Sequence, residues 1–97
     1  MAAKPPWDSK EAEELFAAIL SLRNAKEARM FFRDLLTEAE LKEFSNRWKV
    51  ARLLTAKTPY VEIEKMTGMS STTIARIQKW LKKGMGGYRL MLRRMGR

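Results

Sequence analysis

The sequence predicts an all-α fold. Apolar residues recur at i, i+3 and i+4 steps, and two capping boxes and a cap–proline pair mark helix starts. No stretch alternates apolar and polar residues as a half-buried strand would. The expectation is about six short helices.

Residues 1–7, with Pro5, Pro6 and Trp7, are read as a flexible arm, and 8–97 as a single helical domain. Asp8 or Ser9 is suited to cap a first helix reaching about Leu22, with Leu15, Phe16, Ile19 and Leu20 at helical spacing. Asn24 with Glu27 forms a capping box for a second helix, whose apolar positions are Ala28, Phe31, Phe32, Leu35 and Leu36. Thr37 with Glu40 repeats the box and opens a longer helix to about Ala56. Its expected buried face is Leu41, Phe44, Trp48, Ala51 and Leu54.

Thr58 and Pro59 then read as a cap followed by a first-turn proline, whose missing N–H costs nothing there. The short helix from Tyr60 to about Thr67 is expected to turn Ile63 and Met66 inward, and Gly68 to end it in the left-handed conformation. Ser70 caps the next helix, which runs to about Lys83. Gly84, Gly86 and Gly87 break the chain before a last short helix over 88–95, "YRLMLRRM".

Composition narrows the function. The 97 residues contain no cysteine and no histidine. Disulfides, thiolate metal sites and the commonest general base are therefore absent, and no metal, cofactor or enzymatic activity is expected. The opening "MAAKPPWDSKEAEELF" lacks an apolar core before its charges, and no apolar run approaches the ~20 residues of a membrane span. A soluble, cytoplasmic, nucleoid-associated protein with no membrane partner is the expectation.

The net charge of +9 is unevenly placed. Residues 1–64 hold 11 Lys/Arg against 11 Asp/Glu, whereas residues 65–97 hold 9 Lys/Arg and no acid. One-sided basic charge is the footprint of a polyanion binder, although a basic tail also simply aids solubility.

Geometry favours the binder. On a wheel at ~100° per residue, Thr72, Arg76, Lys79 and Lys83 share one narrow stripe, with Ile74, Ile77 and Leu81 opposite. Burying the apolar side turns the basic stripe outward behind a short glycine corner, as in a helix-turn-helix over 58–83 whose second helix enters the DNA major groove. Ser71, Thr72, Thr73 and Arg76 are the candidate base-reading residues. The candidate phosphate contacts are Lys57, Thr58, Tyr60, Lys65, Ser70, Lys79, Lys82 and Lys83. Two departures from the general motif stand out: Glu64 where a small residue is usual, and Thr67 where an apolar one is. Glu62 and Glu64 also bring negative charge near the expected path of the DNA backbone.

The segment "LLTEAELKEFSNRWKVARLLTAKTPYVEIEKMTGMSSTTIARIQKWL", about Leu35 to Leu81, resembles the Trp repressor superfamily and most of all its YerC/YecD branch of TrpR-related proteins. The ordered combination carries the likeness: "LLTxxE" at a helix start, "LL" at a helix end, then "TGMSSTTIARI". The "GGYRLML" ending is also typical of that branch. The resemblance implies an intertwined homodimer that binds a palindromic operator in double-stranded DNA. Half-sites would lie ~34–36 Å apart if docking follows the general helix-turn-helix rule. It also implies a site for a tryptophan co-repressor. At the matching positions Arg47, Arg76 and Thr37 are kept, but Ile77 and Trp80 replace the family's glycine and serine. Two bulky side chains in a close-packed slot leave no room for an indole, so no tryptophan response is expected. The residues mark a vestigial pocket in which Trp80 partly substitutes for the ligand and Arg76 is free for DNA or stacks on Trp80.

Other constellations have plainer readings. Glu11, Glu13 and Glu14, like Glu38, Glu40 and Glu43, sit in or near first helical turns, where acids suit the helix dipole. Met30, Met66, Met69, Met85, Met91 and Met95 read as core and interface filler. "YRLMLRRMGR" suits packing or DNA phosphates better than a membrane surface. A DNA-binding transcription regulator, as a repressor, is the favoured function. A sensor of an unknown small molecule and a protein–protein module of the transcription machinery are the alternatives.

Overall fold

Six α-helices and one 3-10 turn make up the protein in a computed structural model that describes residues 5–96, with no strand among them. The helices are α1 (Lys10–Leu20), α2 (Ala25–Leu35), α3 (Glu38–Thr55), α4 (Tyr60–Thr67), α5 (Ser71–Lys83) and α6 (Gly87–Gly96). The 3-10 turn, Pro6–Asp8, overlaps the end of the stretch expected to be a flexible arm, residues 1–7. Prolines at its start preset the backbone angle, and Ser9 Oγ donates to the Pro6 carbonyl at 3.0 Å. Residues 1–4 of that arm lie outside the described residues.

Most helix starts follow the capping chemistry. Ser9 Oγ accepts from Ala12 N–H, Asn24 Oδ1 from Glu27 N–H and Ser70 Oγ from Thr73 N–H, each supplying an acceptor to an otherwise unpaired first-turn donor. The second capping element differs in detail, since Glu27 Oε1 accepts from Arg23 N–H at 2.9 Å, one residue before the cap. Pro59 likewise stands at the cap of α4 rather than inside its first turn. Its extended ψ of 149° leaves its carbonyl as the first helical acceptor, bonded by Ile63 N–H at 3.1 Å.

The described residues form two compact units, 5–38 and 39–96. The first holds the 3-10 turn, α1 and α2. None of its described residues is buried. Trp7, Phe16, Leu20, Met30 and Leu35 are exposed apolar side chains, and Phe31 packs edge-to-face on Phe32 at 5.5 Å.

The second unit has the core. Val50 and Ala51 of α3, Ile63 of α4, and Ile74 and Ile77 of α5 are buried, with Trp48, Leu53, Leu54, Met69, Leu81 and Tyr88 packed around them. Burying one Val or Ile side chain contributes ~1.5–3 kcal/mol, so these few residues supply much of the unit's cohesion.

Two expected faces are corrected here. On α3 the buried residues are Val50 and Ala51, while Phe44 remains 48% exposed. Ala51 is buried, and Trp48 and Leu54 pack against the core, as the stripe requires, so the core meets the C-terminal half of α3, takes in Val50 beside the stripe and leaves Phe44 out. On α4 Ile63 is fully buried but Met66 is half-exposed. Met66 lies ~60° round the helix from Ile63, which carries it to the edge of the buried line.

Candidate nucleic-acid interface

The site is built from α4, the corner after it and α5. Gly68 closes α4 at φ 74°, and its N–H reaches the Glu64 carbonyl at 2.8 Å. A side chain at that φ is strained, which is why glycine stands there. Thr67 fixes the corner from within: its Oγ1 donates to the Ile63 carbonyl at 2.7 Å and accepts from Met69 N–H at 3.2 Å. Asn46 Nδ2 of α3 donates to the Thr67 carbonyl at 3.4 Å. The hydroxyl at a position where an apolar residue is usual thus satisfies two backbone groups of the corner.

After the corner Ser70 caps α5 and also donates to Thr73 Oγ1 at 3.1 Å. Ile74 is fully buried and Ile77 is 3% exposed. Those two positions set the rotation of α5, and Ser71, Thr72, Arg76, Lys79, Lys82 and Lys83 all stand exposed. Thr73 is half-buried and engaged with Ser70, so within the chain it acts as part of the cap.

The remaining candidate contacts lie around α4. Lys65, Tyr60 and Lys57 are exposed. Lys57 adopts φ 65° in the turn that follows α3, and its N–H bonds the Leu54 carbonyl at 2.9 Å. Thr58 is half-buried, with its N–H on the Leu53 carbonyl at 2.9 Å. No side chain caps α4. Glu62 is exposed and Glu64 half-buried on the same helix.

Among the described residues from 65 onward, no cation has an ion-pair partner. The charge asymmetry of the sequence is thus matched by uncompensated charge on the surface of the second unit. No helix among the described residues is long and apolar enough to cross a membrane.

The residues expected to mark a vestigial pocket do not stand alike. Arg47 is ion-paired with Glu43 one turn earlier and lies over the Phe44 ring at 5.8 Å. Arg76 is exposed and Ile77 belongs to the core. Trp80 is 52% exposed and borders an open hollow with Trp48, Met85, Tyr88 and Met91. Thr37 belongs to the first unit. An i, i+4 spacing in the sequence is the one signal that marks the Glu43–Arg47 pair, whereas nothing local in the sequence marks the two bonds of Thr67.

Comparison with known proteins agrees with this geometry. The family model for the Trp repressor protein matches residues 10–96. The uncharacterized protein YerC of Bacillus subtilis (strain 168) is 40% identical over 86 residues, which cover 89% of this chain and 83% of that protein. The crystal structure of a TrpR-like protein from Eubacterium eligens ATCC 27750 superposes with a TM-score of 0.88 at 38% identity, covering 93% of each chain. That of a putative Trp repressor from Staphylococcus aureus gives a TM-score of 0.85 at 38% identity, covering 91% of this chain and 88% of the other.

Proposed function

The chain belongs to the Trp repressor family, and from that premise we propose that it is a homodimeric regulator of transcription. In this reading it represses by binding a palindromic site in double-stranded DNA through the helix-turn-helix over 58–83, and it acts in the cytoplasm on the nucleoid. One observation carries the reading. Burial of Ile74 and Ile77 turns Thr72, Arg76, Lys79 and Lys83 outward on a surface from which acids are absent after Glu64.

Each group has a distinct task. Ser71, Thr72 and Arg76 lead α5 into the major groove, where small hydroxyls allow close approach and a guanidinium pairs with a guanine edge. Lys57, Tyr60, Lys65, Lys79, Lys82 and Lys83 meet phosphates and set the register. Ser70 and Thr73 support these contacts through the cap of α5, and Thr58 through the turn that precedes α4.

Dimerisation is supported by the first unit. A pair of amphipathic helices without one buried residue leaves Phe16, Leu20, Met30 and Leu35 in water, and a second copy supplies the missing apolar surface. Insensitivity to tryptophan is supported by three residues: Arg47 is already neutralised by Glu43, Ile77 is committed to the core, and Trp80 stands where the family has serine.

Selection of bound duplexes from a random pool by the purified protein tests the reading. The expected result is enrichment of a two-fold symmetric sequence with half-sites ~34–36 Å apart. A bound pool with the composition of the starting pool would overturn it.

A further inference from the structure

A second cationic surface lies away from the reading stripe. Arg52 of α3 and Arg89 and Arg93 of α6 are exposed, and none has an ion-pair partner among the described residues. Two adjoining grooves connect them. Arg89 borders one groove together with Gln78 of α5, and Arg52 and Arg93 border the other. Thr55 and Leu92 line both, so the three arginines share one continuous surface. Gln78 brings that surface to the flank of α5. On the helical wheel Lys82 projects ~40° from Gln78 and ~60° from Lys79, which makes it the bridge between the surface and the reading stripe.

Ordinary helix chemistry does not account for this charge. Arg93, in the last turn of α6, suits the helix dipole, but Arg89 sits in the first turn, where a cation opposes it. Arg89 and Arg93 are also a like-charge i, i+4 pair, which weakens the helix that bears them. No acid of α6 offsets either effect. A polyanion laid across the surface would remove both penalties at once, and guanidinium groups bind phosphate oxygens in bidentate fashion.

We propose that Arg52, Arg89 and Arg93, continued by Lys82, form a second phosphate-binding surface that grips the duplex outside the bases read by α5. The protein then covers more DNA than its reading helices alone require. This inference rests on the DNA-binding reading above.

The test uses the selected duplex in two lengths, one trimmed to its two half-sites and one extended by ~10 bp, about one helical turn, at each end. The full-length protein is compared with the double variants Arg89→Gln/Arg93→Gln and Arg89→Lys/Arg93→Lys. On the long duplex the glutamine pair is expected to lower the slope of log affinity against log salt by ~3.6, because a dimer loses four arginines and each phosphate left without its cation takes ~0.9 from the slope. The lysine pair keeps the slope, and the short duplex binds all three proteins alike. The inference is overturned if the glutamine pair matches the parent on the long duplex, or weakens equally on both lengths. It is overturned too if sedimentation shows the glutamine pair monomeric where the parent is dimeric, since the surface would then hold subunits together. A parent protein that prefers no duplex sequence sinks the DNA-binding reading itself, a result distinct from each of these.

Discussion

Trp48 and Tyr88 stack, with ring centroids 6.4 Å apart and planes 17° from parallel. The pair joins α3 to α6 across forty residues of chain, and both rings pack against the buried core of the second unit. This stacking ties the last helix and its arginines to α3, beside the packing of α6 on α5. Tyr88→Leu keeps apolar bulk but removes the ring, so it should cost ~0.5–1.5 kcal/mol, the value of an aromatic pair beyond its area. Chemical denaturation measures it. Unchanged stability would mean that α6 is held elsewhere.

Thr67 holds the corner by its hydroxyl, which bonds the Ile63 carbonyl and Met69 N–H. Thr67→Val, nearly the same shape, therefore leaves a half-buried amide without its acceptor. A loss of ~1–3 kcal/mol is expected, and Thr67→Ser should recover most of it. Equal stability of Val and Thr at this position would show that the corner is set by packing alone.

Glycines at two positions should behave oppositely. Gly68 sits at φ 74°, where a β-carbon costs ~1–2 kcal/mol, so Gly68→Ala is expected to lower the unfolding midpoint. At Gly87 an added β-carbon meets nothing within 4 Å and φ is not positive, so Gly87→Ala should be neutral or slightly stabilising. Gly84→Ala belongs with the first: its β-carbon would lie 2.5 Å from the Trp80 carbonyl oxygen. Matched thermal melts of the three variants decide the order.

The contrast between these positions shows what the sequence made legible. Caps at Ser9, Asn24 and Ser70 and the stop at Gly68 were readable because each depends on bonds within a few residues. The orientation of α5 was readable because Ile74 and Ile77 leave its apolar side little choice. Burial on α3 was readable only in part: Ala51 is buried and Trp48 and Leu54 pack on the core, but Phe44 fits the apolar stripe yet stays half-exposed, and Val50 lies off the stripe yet is fully buried. Periodicity reports that a helix has an apolar face, whereas its neighbours decide which part is covered. The convergence of Arg52, Arg89 and Arg93 was hidden for the same reason, since only the docking of α6 brings them to one surface.

Tryptophan titration should yield no heat and no rise in melting temperature at millimolar ligand. A ligand that binds only the folded state stabilises by RT ln(1 + [L]/Kd), so a site with sub-millimolar affinity would be visible. The reason to expect silence is local. Glu43 and Phe44 engage Arg47, and opening the slot at Ile77 would remove a side chain from a core of five buried residues. A clear saturable shift with the unmodified protein would restore the co-repressor site.

Substitutions along α5 should separate reading from gripping. Thr72→Ala and Arg76→Ala remove groups that the DNA-binding reading assigns to base edges at the leading end, so each should cost ~1–3 kcal/mol per half-site on the selected sequence and less on other sequences. Specificity then falls faster than affinity. Lys79→Ala removes a charge farther along the same stripe, assigned to the backbone in this reading, so every duplex should weaken alike and the salt slope should drop by ~2, one phosphate from each protomer of the dimer. All three side chains are exposed and outside the core, which keeps the fold out of the comparison. Binding measured at several salt concentrations, on selected and scrambled duplexes, distinguishes the two patterns. If Lys79→Ala relaxed sequence preference while Thr72→Ala and Arg76→Ala lowered all affinities equally, α5 would enter the groove by its other end.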